Sequence, residues 1–89
     1  MIKLVWDKAF VRKLKKIVKG NPELKDIFYT KIALLSESPF HKSLRTHKLS
    51  GKLRGYYACS LDNKYRLLFE ILDSNTFLLI DIGTHDEVY

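Results

Sequence analysis

The side chains of this sequence able to move a proton or hold a phosphate near neutral pH are few, and they are unevenly placed. An apolar run ends at Gly83, and Thr84-His85-Asp86-Glu87-Val88-Tyr89 follows, so that an imidazole, two carboxylates and a phenol fall within five residues. Histidine titrates near ~6.5 when unperturbed and can act as base or acid. A second histidine, His47, opens a basic stretch that continues through Lys48, Lys52 and Arg54, and Arg66 interrupts an apolar strand pattern. Arginine is always charged and grips phosphate through two parallel hydrogen bonds. Together such groups can take a proton, give one and stabilise a developing negative charge. Taken alone, residues 85–89 are also what an ordinary polar tail contains.

Other chemistries find less support. The three histidines lack zinc-motif spacing, and no Cys or Glu completes a ligand set. No P-loop, GxGxxG or G-x-S-x-G occurs. The single cysteine, Cys59, excludes an internal disulfide and lies in an apolar strand pattern, where it reads as a small buried hydrophobe. Ser60 has no neighbouring histidine in sequence and reads as a polar strand residue, and His41, beside Phe40, as structural or surface.

The elements that must position these groups follow from periodicity. Residues 2–6 alternate as a short strand. Asp7 is placed as an N-cap for a helix with Phe10, Leu14, Ile17 and Val18 on one face and Gly20 as its stop, while Arg12, Lys15, Lys16 and Lys19 share another face. Pro22 suits the first turn of a second helix, whose stripe runs Leu24, Ile27, Phe28, Lys31, Ile32 and Leu35 and which ends before Pro39. Residues 36–52 show no period and form a long basic connection. Residues 53–61, 64–72 and 76–83 read as a three-stranded antiparallel meander with turns at Asp62-Asn63 and Asp73-Ser74-Asn75. Alternation assigns Leu53, Tyr57, Cys59, Leu61, Tyr65, Leu67, Phe69, Ile71, Leu78, Ile80 and Ile82 to the core. Arg54, Tyr56, Ser60, Arg66, Leu79, Asp81 and His85 go to the open face, unless a bulge at Gly83 reverses the parity. The fold class is thus α+β, with a short N-terminal strand and a two-helix hairpin packed on an antiparallel β-meander.

The 89 residues suit one domain spanning 1–89, with 46% hydrophobic content and a net charge of +6. Residues 1–54 hold fourteen Lys and Arg against four acids, and residues 55–89 hold two against six, so the halves carry about +10 and −4. The first half should attract polyanions. No run approaches a membrane span, the start is too soon charged for a signal sequence, and the expected location is the cytoplasm.

Three stretches in order carry a family resemblance: His47-Lys48-Leu49-Ser50-Gly51-Lys52-Leu53-Arg54-Gly55-Tyr56, then Lys64-Tyr65-Arg66-Leu67-Leu68-Phe69, then Ile82-Gly83-Thr84-His85-Asp86-Glu87-Val88-Tyr89. With the element order, they resemble the RelE/ParE toxin superfamily over nearly the whole chain, and most closely its histidine-rich branch typified by YafQ. The resemblance implies a toxin of a type II toxin-antitoxin system. On the RelE side it implies a metal-free endoribonuclease, with no cofactor, that cuts mRNA on the ribosome and is silenced by a cognate antitoxin in a hetero-oligomer. The ParE side implies the same fold inhibiting DNA gyrase, and a degenerate member that only binds antitoxin is a third possibility. His47 matches the family's loop histidine, Arg66 its strand arginine, His85 the histidine of its terminal G-T-H motif and Tyr89 its closing aromatic. The resemblance therefore implies His47 and His85 as proton-transfer groups and Arg66 as phosphate clamp, with Tyr89 stacking a base or assisting proton transfer. Lys48, Lys52 and Arg54 would hold the RNA backbone, and Asp81 either orients His85 or pairs with Arg66. This chain departs from the branch at Ser60, where a histidine is usual, and at Lys64, where an acid is usual.

Overall fold

The computed structural model describes residues 1–89. The chain begins with strand β1 (Lys3–Trp6), followed by helices α1 (Lys8–Gly20) and α2 (Pro22–Glu37). Asp7 caps α1 as its spacing predicts, its carboxylate accepting from the backbone N–H groups of Ala9 and Phe10 at 3.0 and 3.3 Å. Such a cap stabilises a helix by about 0.5–2 kcal/mol. Pro22 occupies the start of α2, where its missing N–H costs nothing. Phe10 and Leu14 of α1 and Leu24, Phe28, Ile32 and Leu35 of α2 are buried, matching the stripes read from the sequence.

The sheet is larger than a meander. Strands β2 (His47–Lys48), β3 (Tyr57–Ser60), β4 (Tyr65–Asp73) and β5 (Thr76–Thr84) join β1 in the order β1-β5-β4-β3-β2. β3, β4 and β5 pair antiparallel as expected, and β1 adds parallel to β5. The long connection expected to be irregular contributes a 3-10 turn (Lys42–Leu44) and β2, which pairs antiparallel with β3 through His47↔Ala58 and Lys48↔Tyr57. The expected strand over 53–61 is shorter than predicted. Gly51 and Gly55 adopt φ of +65° and +99°, left-handed values that break extended backbone, so Gly51–Leu53 forms a 3-10 turn and the strand starts at Tyr57.

The main core lies between the helices and one face of the sheet, where Phe10, Phe28, Leu67, Phe69, Leu79 and Ile82 are almost wholly buried. Phe69 is stacked between Tyr57 and Phe77, at centroid distances of 5.7 and 5.0 Å. The expectation that Leu78 and Ile80 face this core is overturned: Phe77 and Leu79 are the buried pair, and Leu78 and Ile80 are only half-buried. The cause is a bulge. Leu68 pairs with Asp81 and Phe69 with Leu79, leaving Ile80 without a partner and reversing the parity of every residue before it. The irregularity sits at Ile80 rather than Gly83. Past it, Ile82 in the core and Asp81 on the other face stand as alternation places them.

The opposite face is not bare. Ala58 and Leu68 are covered by Val88, with Leu49 and Leu53 packed alongside. Leu53, expected beneath the helices, therefore belongs to this second cluster, because the Gly51 turn folds it over the other side of the sheet.

Candidate functional site

The site begins where β5 ends. Thr84 caps a single helical turn, α3 (His85–Val88), which alternation did not reveal. Its side chain and that of Glu87 form a reciprocal capping box, with the Thr84 N–H donating to Glu87 Oε1 at 2.9 Å. These hydrogen bonds hold the Glu87 carboxyl below the usual carboxylate range. A depressed carboxylate lends stability above its unfolded value of 4.5 and loses it as pH falls through the lowered folded value. Acidification below pH 4.5, through the lowered folded value, should therefore fray α3 before the core melts. Proton NMR of the His85 and Tyr89 rings checks this, and Glu87→Gln, which retains an acceptor but cannot titrate, should abolish the acid transition. A transition of the same midpoint in that variant would refute the assignment.

Gly83 sets how closely α3 can lie on the sheet. A Cβ there would stand 3.1 Å from both Glu87 Cβ and Val88 Cγ1. Gly83→Ala is expected to cost about 1–3 kcal/mol, as overpacking does, and to lift α3 away from Ala58 and Leu68. Denaturant melts and the Val88 methyl shift check this; native stability with an unmoved methyl signal would contradict it.

On this turn His85 and Tyr89 face each other. Their rings meet edge to face at a centroid distance of 4.5 Å, and the His85 side chain is 67% exposed, with its Nδ1 3.6 Å from Asp86 Oδ1. Tyr89 lies under the field of the Arg66 guanidinium, but partial burial dominates and pushes its phenol up, so it stays protonated at neutral pH. Arg66 is half-buried and pairs across the sheet with Ser60 on one side and Gly83 on the other. Its Nη1 donates to the carbonyls of Asp62 and Tyr65 at 2.9 and 3.2 Å, which fixes the guanidinium at the β3–β4 turn.

His47 stands on the same sheet face, since it pairs with Ala58, and Ala58 and Ser60 lie two residues apart. Strand spacing of ~4.8 Å and a rise of ~3.4 Å per residue place its Cα roughly 12 Å from that of Arg66. It is exposed, and its Nδ1 lies 2.9 Å from the Arg45 carbonyl. A carbonyl only accepts, so Nδ1 carries the hydrogen and Nε2 is free toward solvent. His85, Tyr89 and Arg66 thus form one neighbourhood, with His47 at its border.

Of the expected RNA-binding cations, Lys52 shares a groove of about 300 Å³ with Tyr89, Leu49 and Leu53. Lys48 and Arg54 line a neighbouring groove of about 650 Å³ with Tyr56 and Tyr57. Asp81 does neither of the things expected of it. Its Oδ1 lies 2.7 Å from Lys13 Nζ, because α1 crosses β5 there and brings a cation that local sequence could not place. His41 accepts from the Ser43 N–H at 3.2 Å and caps the 3-10 turn. Burial pushes the Cys59 thiol up to about 12, against a lowering by Lys31, and leaves it unreactive.

Residues 2–89 match the family described as the bacterial toxin of type II toxin-antitoxin system, YafQ. A metal-bound toxin from Helicobacter pylori has the same fold, with a TM-score of 0.80 at 30% identity over 100% of both chains. YafQ from E. coli strain BL21(DE3) aligns with a TM-score of 0.81 at 14% identity, covering 100% of this chain and 99% of that one. The YoeB-YefM complex from Staphylococcus aureus aligns at 0.75 and 15% identity, covering 96% and 98%. A search of curated proteins returned no match. By a match that runs from Ile2 to Tyr89 and takes in the turn built on Gly83, the chain belongs to the YafQ family of type II toxin-antitoxin toxins.

Proposed function

We propose that this toxin is an endoribonuclease that cleaves mRNA by attack of a ribose 2′-hydroxyl on the adjacent phosphate. The observation that carries the reading is the exposed His85 ring held against the Tyr89 phenol within the field of Arg66. His47, with Nδ1 committed to a carbonyl and Nε2 free, is suited to take the 2′-hydroxyl proton. The O2′–P bond forms as the P–O5′ bond breaks, leaving a 2′,3′-cyclic phosphate and a 5′-hydroxyl. His85, exposed at the start of α3 and set against Tyr89, donates the proton to the departing O5′. Arg66 stabilises the charge on the non-bridging oxygens. Tyr89, kept neutral, stacks on a base or donates a hydrogen bond at the same phosphate.

No group of three His, Cys, Asp or Glu side chains comes together here that could hold a metal ion. The ribosome would present the message, and the partner would be a cognate antitoxin, as YefM is for YoeB in the Staphylococcus aureus complex. A positive face around Lys48, Lys52 and Arg54 suits both mRNA and an acidic antitoxin segment. No helix is long and apolar enough to cross a membrane.

The test is to incubate the purified chain with mRNA, with and without ribosomes, and to map the ends produced. Cyclic phosphate and 5′-hydroxyl ends that persist in EDTA and disappear on adding antitoxin are expected. Intact RNA in both settings, with loss of gyrase supercoiling activity instead, would overturn the proposal.

A further inference from the structure

The cation that clamps phosphate in the proposed reaction does not stand alone. Where α2, the 3-10 turn Lys42–Leu44 and the β3–β4 turn converge, a cleft of about 240 Å³ is lined by Lys31, Ser43, Arg45, Ser60, Asp62 and Arg66, among others. Its three cations come from three separate elements, so neither local pattern nor charge count would group them. None has a carboxylate partner: the ion pairs of the protein are Lys13 with Asp81 and His85 with Asp86. The one acid in the cleft, Asp62, turns its Oδ1 to the N–H groups of Lys64 and Tyr65 at 2.9 and 2.7 Å and pairs with none of the three cations, so three positive charges against one negative leave an excess of two. Converging like charges repel, and an anion in their midst removes that cost. Ser60 adds a hydroxyl donor of the kind that completes a phosphate site, whereas the Ser43 hydroxyl lies 2.9 Å from His41 Nδ1 and is engaged there.

Two features tie the cleft to the site described above. Ser60 and Arg66 are cross-strand partners on the sheet face that also carries His47. Arg45 holds a left-handed backbone conformation, φ 51° and ψ 39°, uncommon for a residue with a side chain, and its carbonyl is the group that orients His47. The turn that aims the Arg45 side chain thus also fixes the imidazole.

We propose that this cleft is a second phosphate subsite, in which Lys31, Arg45 and Arg66, with the hydroxyl of Ser60, hold the backbone phosphate next to the scissile one. The inference rests on the reading of the protein as a ribonuclease and deepens it. Arg66 becomes the bridge between the two phosphates, and Lys31, an isolated cation on the apolar stripe of α2, becomes an RNA contact. The position where the family has a histidine supplies a hydroxyl to the neighbouring phosphate instead of a proton-transfer group.

The probe is a short single-stranded RNA carrying 2′-O-methyl groups throughout, which binds but offers no 2′-hydroxyl to attack. Its affinity for the full chain is measured against ionic strength, for the parent and for K31Q, R45Q and K31R. Each lost phosphate contact lowers the slope of log K against log salt by about 0.7 for a single strand. K31Q and R45Q should each show that drop, and K31R should restore the parent slope. Inorganic phosphate alone should move the Ser43 and Ser60 amide resonances of the parent and not those of K31Q, which separates a phosphate site from general attraction to a polymer. Unchanged slopes in both K31Q and R45Q overturn the subsite. So does an unchanged slope joined to weaker binding of an acidic peptide, which would assign the cleft to a protein partner. Cleavage of ordinary RNA by the parent is scored separately. If the slopes fall as expected but RNA stays intact, the subsite stands and the nuclease reading fails; if RNA is cut but the slopes hold, the reverse is true.

Discussion

Replacing His85 with alanine is expected to slow RNA cleavage by about 10²–10⁴-fold, the usual contribution of a positioned proton-transfer group. The substitution removes one ring from an exposed turn: the side chain is 67% accessible and belongs to neither buried cluster. Stability should therefore change by no more than about 0.5 kcal/mol, as for other surface replacements. Separation of the two effects is what makes the variant informative, since a folded and antitoxin-binding protein that no longer cuts RNA places the loss in the chemistry. Single-turnover rates on a defined transcript, alongside a thermal melt, give both quantities. Combining His85→Ala with His47→Ala should slow the reaction much less than the product of the single effects, because acid and base serve one displacement. Parent-like cleavage by His85→Ala would remove the centre of the mechanism.

Leu79→Ala should be among the most destabilising changes in the sheet, and Leu78→Ala among the mildest. Leu79 is wholly buried in the main core, opposite Phe69, whereas Leu78 pairs with Glu70 and is only half-buried. Truncating a buried leucine costs about 2–5 kcal/mol through lost burial and the cavity left behind. A chain of this length is held by roughly 4–13 kcal/mol in all. Leu79→Ala could therefore unfold much of the population at physiological temperature, while Leu78→Ala should cost about 1 kcal/mol or less. Urea midpoints of the two variants check the difference. Equal costs, or the reverse order, would mean that the bulge at Ile80 is misplaced. The consequence reaches the site, because β5 ends in Gly83 and Thr84 and so carries α3 with it.

Much of this architecture is legible in the residues alone. Asp7 and Pro22 mark helix starts by side-chain chemistry that acts within a few residues, and the 3.6-residue stripes of α1 and α2 name the side chains that become buried. Strand alternation likewise places Ser60, Arg66 and Asp81 together on one face, where the pairing of β3, β4 and β5 has them. The resemblance carried by three short stretches pointed to the family that the match over residues 2–89 establishes.

What the tertiary structure decided is of another physical kind. Phe77, Leu78, Leu79 and Ile80 are all apolar, so their pattern contains no information about which alternate pair faces inward. Only pairing with β4 places the extra residue at Ile80, and a single inserted residue reverses all that precede it. The turn at α3 has four residues, too few for a periodic signal, and it exists because Gly83 admits close packing and Val88 covers Ala58 and Leu68. Lys13 reaches Asp81 across 68 positions, and Lys31 and Arg45, 35 and 21 positions before Arg66, line one cleft with it. Charges at such separations are brought together by the packing of α1, α2 and the turn against the sheet. The sequence by itself thus determined which candidate groups are present and the sheet face that Ser60, Arg66 and Asp81 share, because strand alternation depends on local geometry. Which cations converge, and how His85 meets Tyr89, depended on long-range packing.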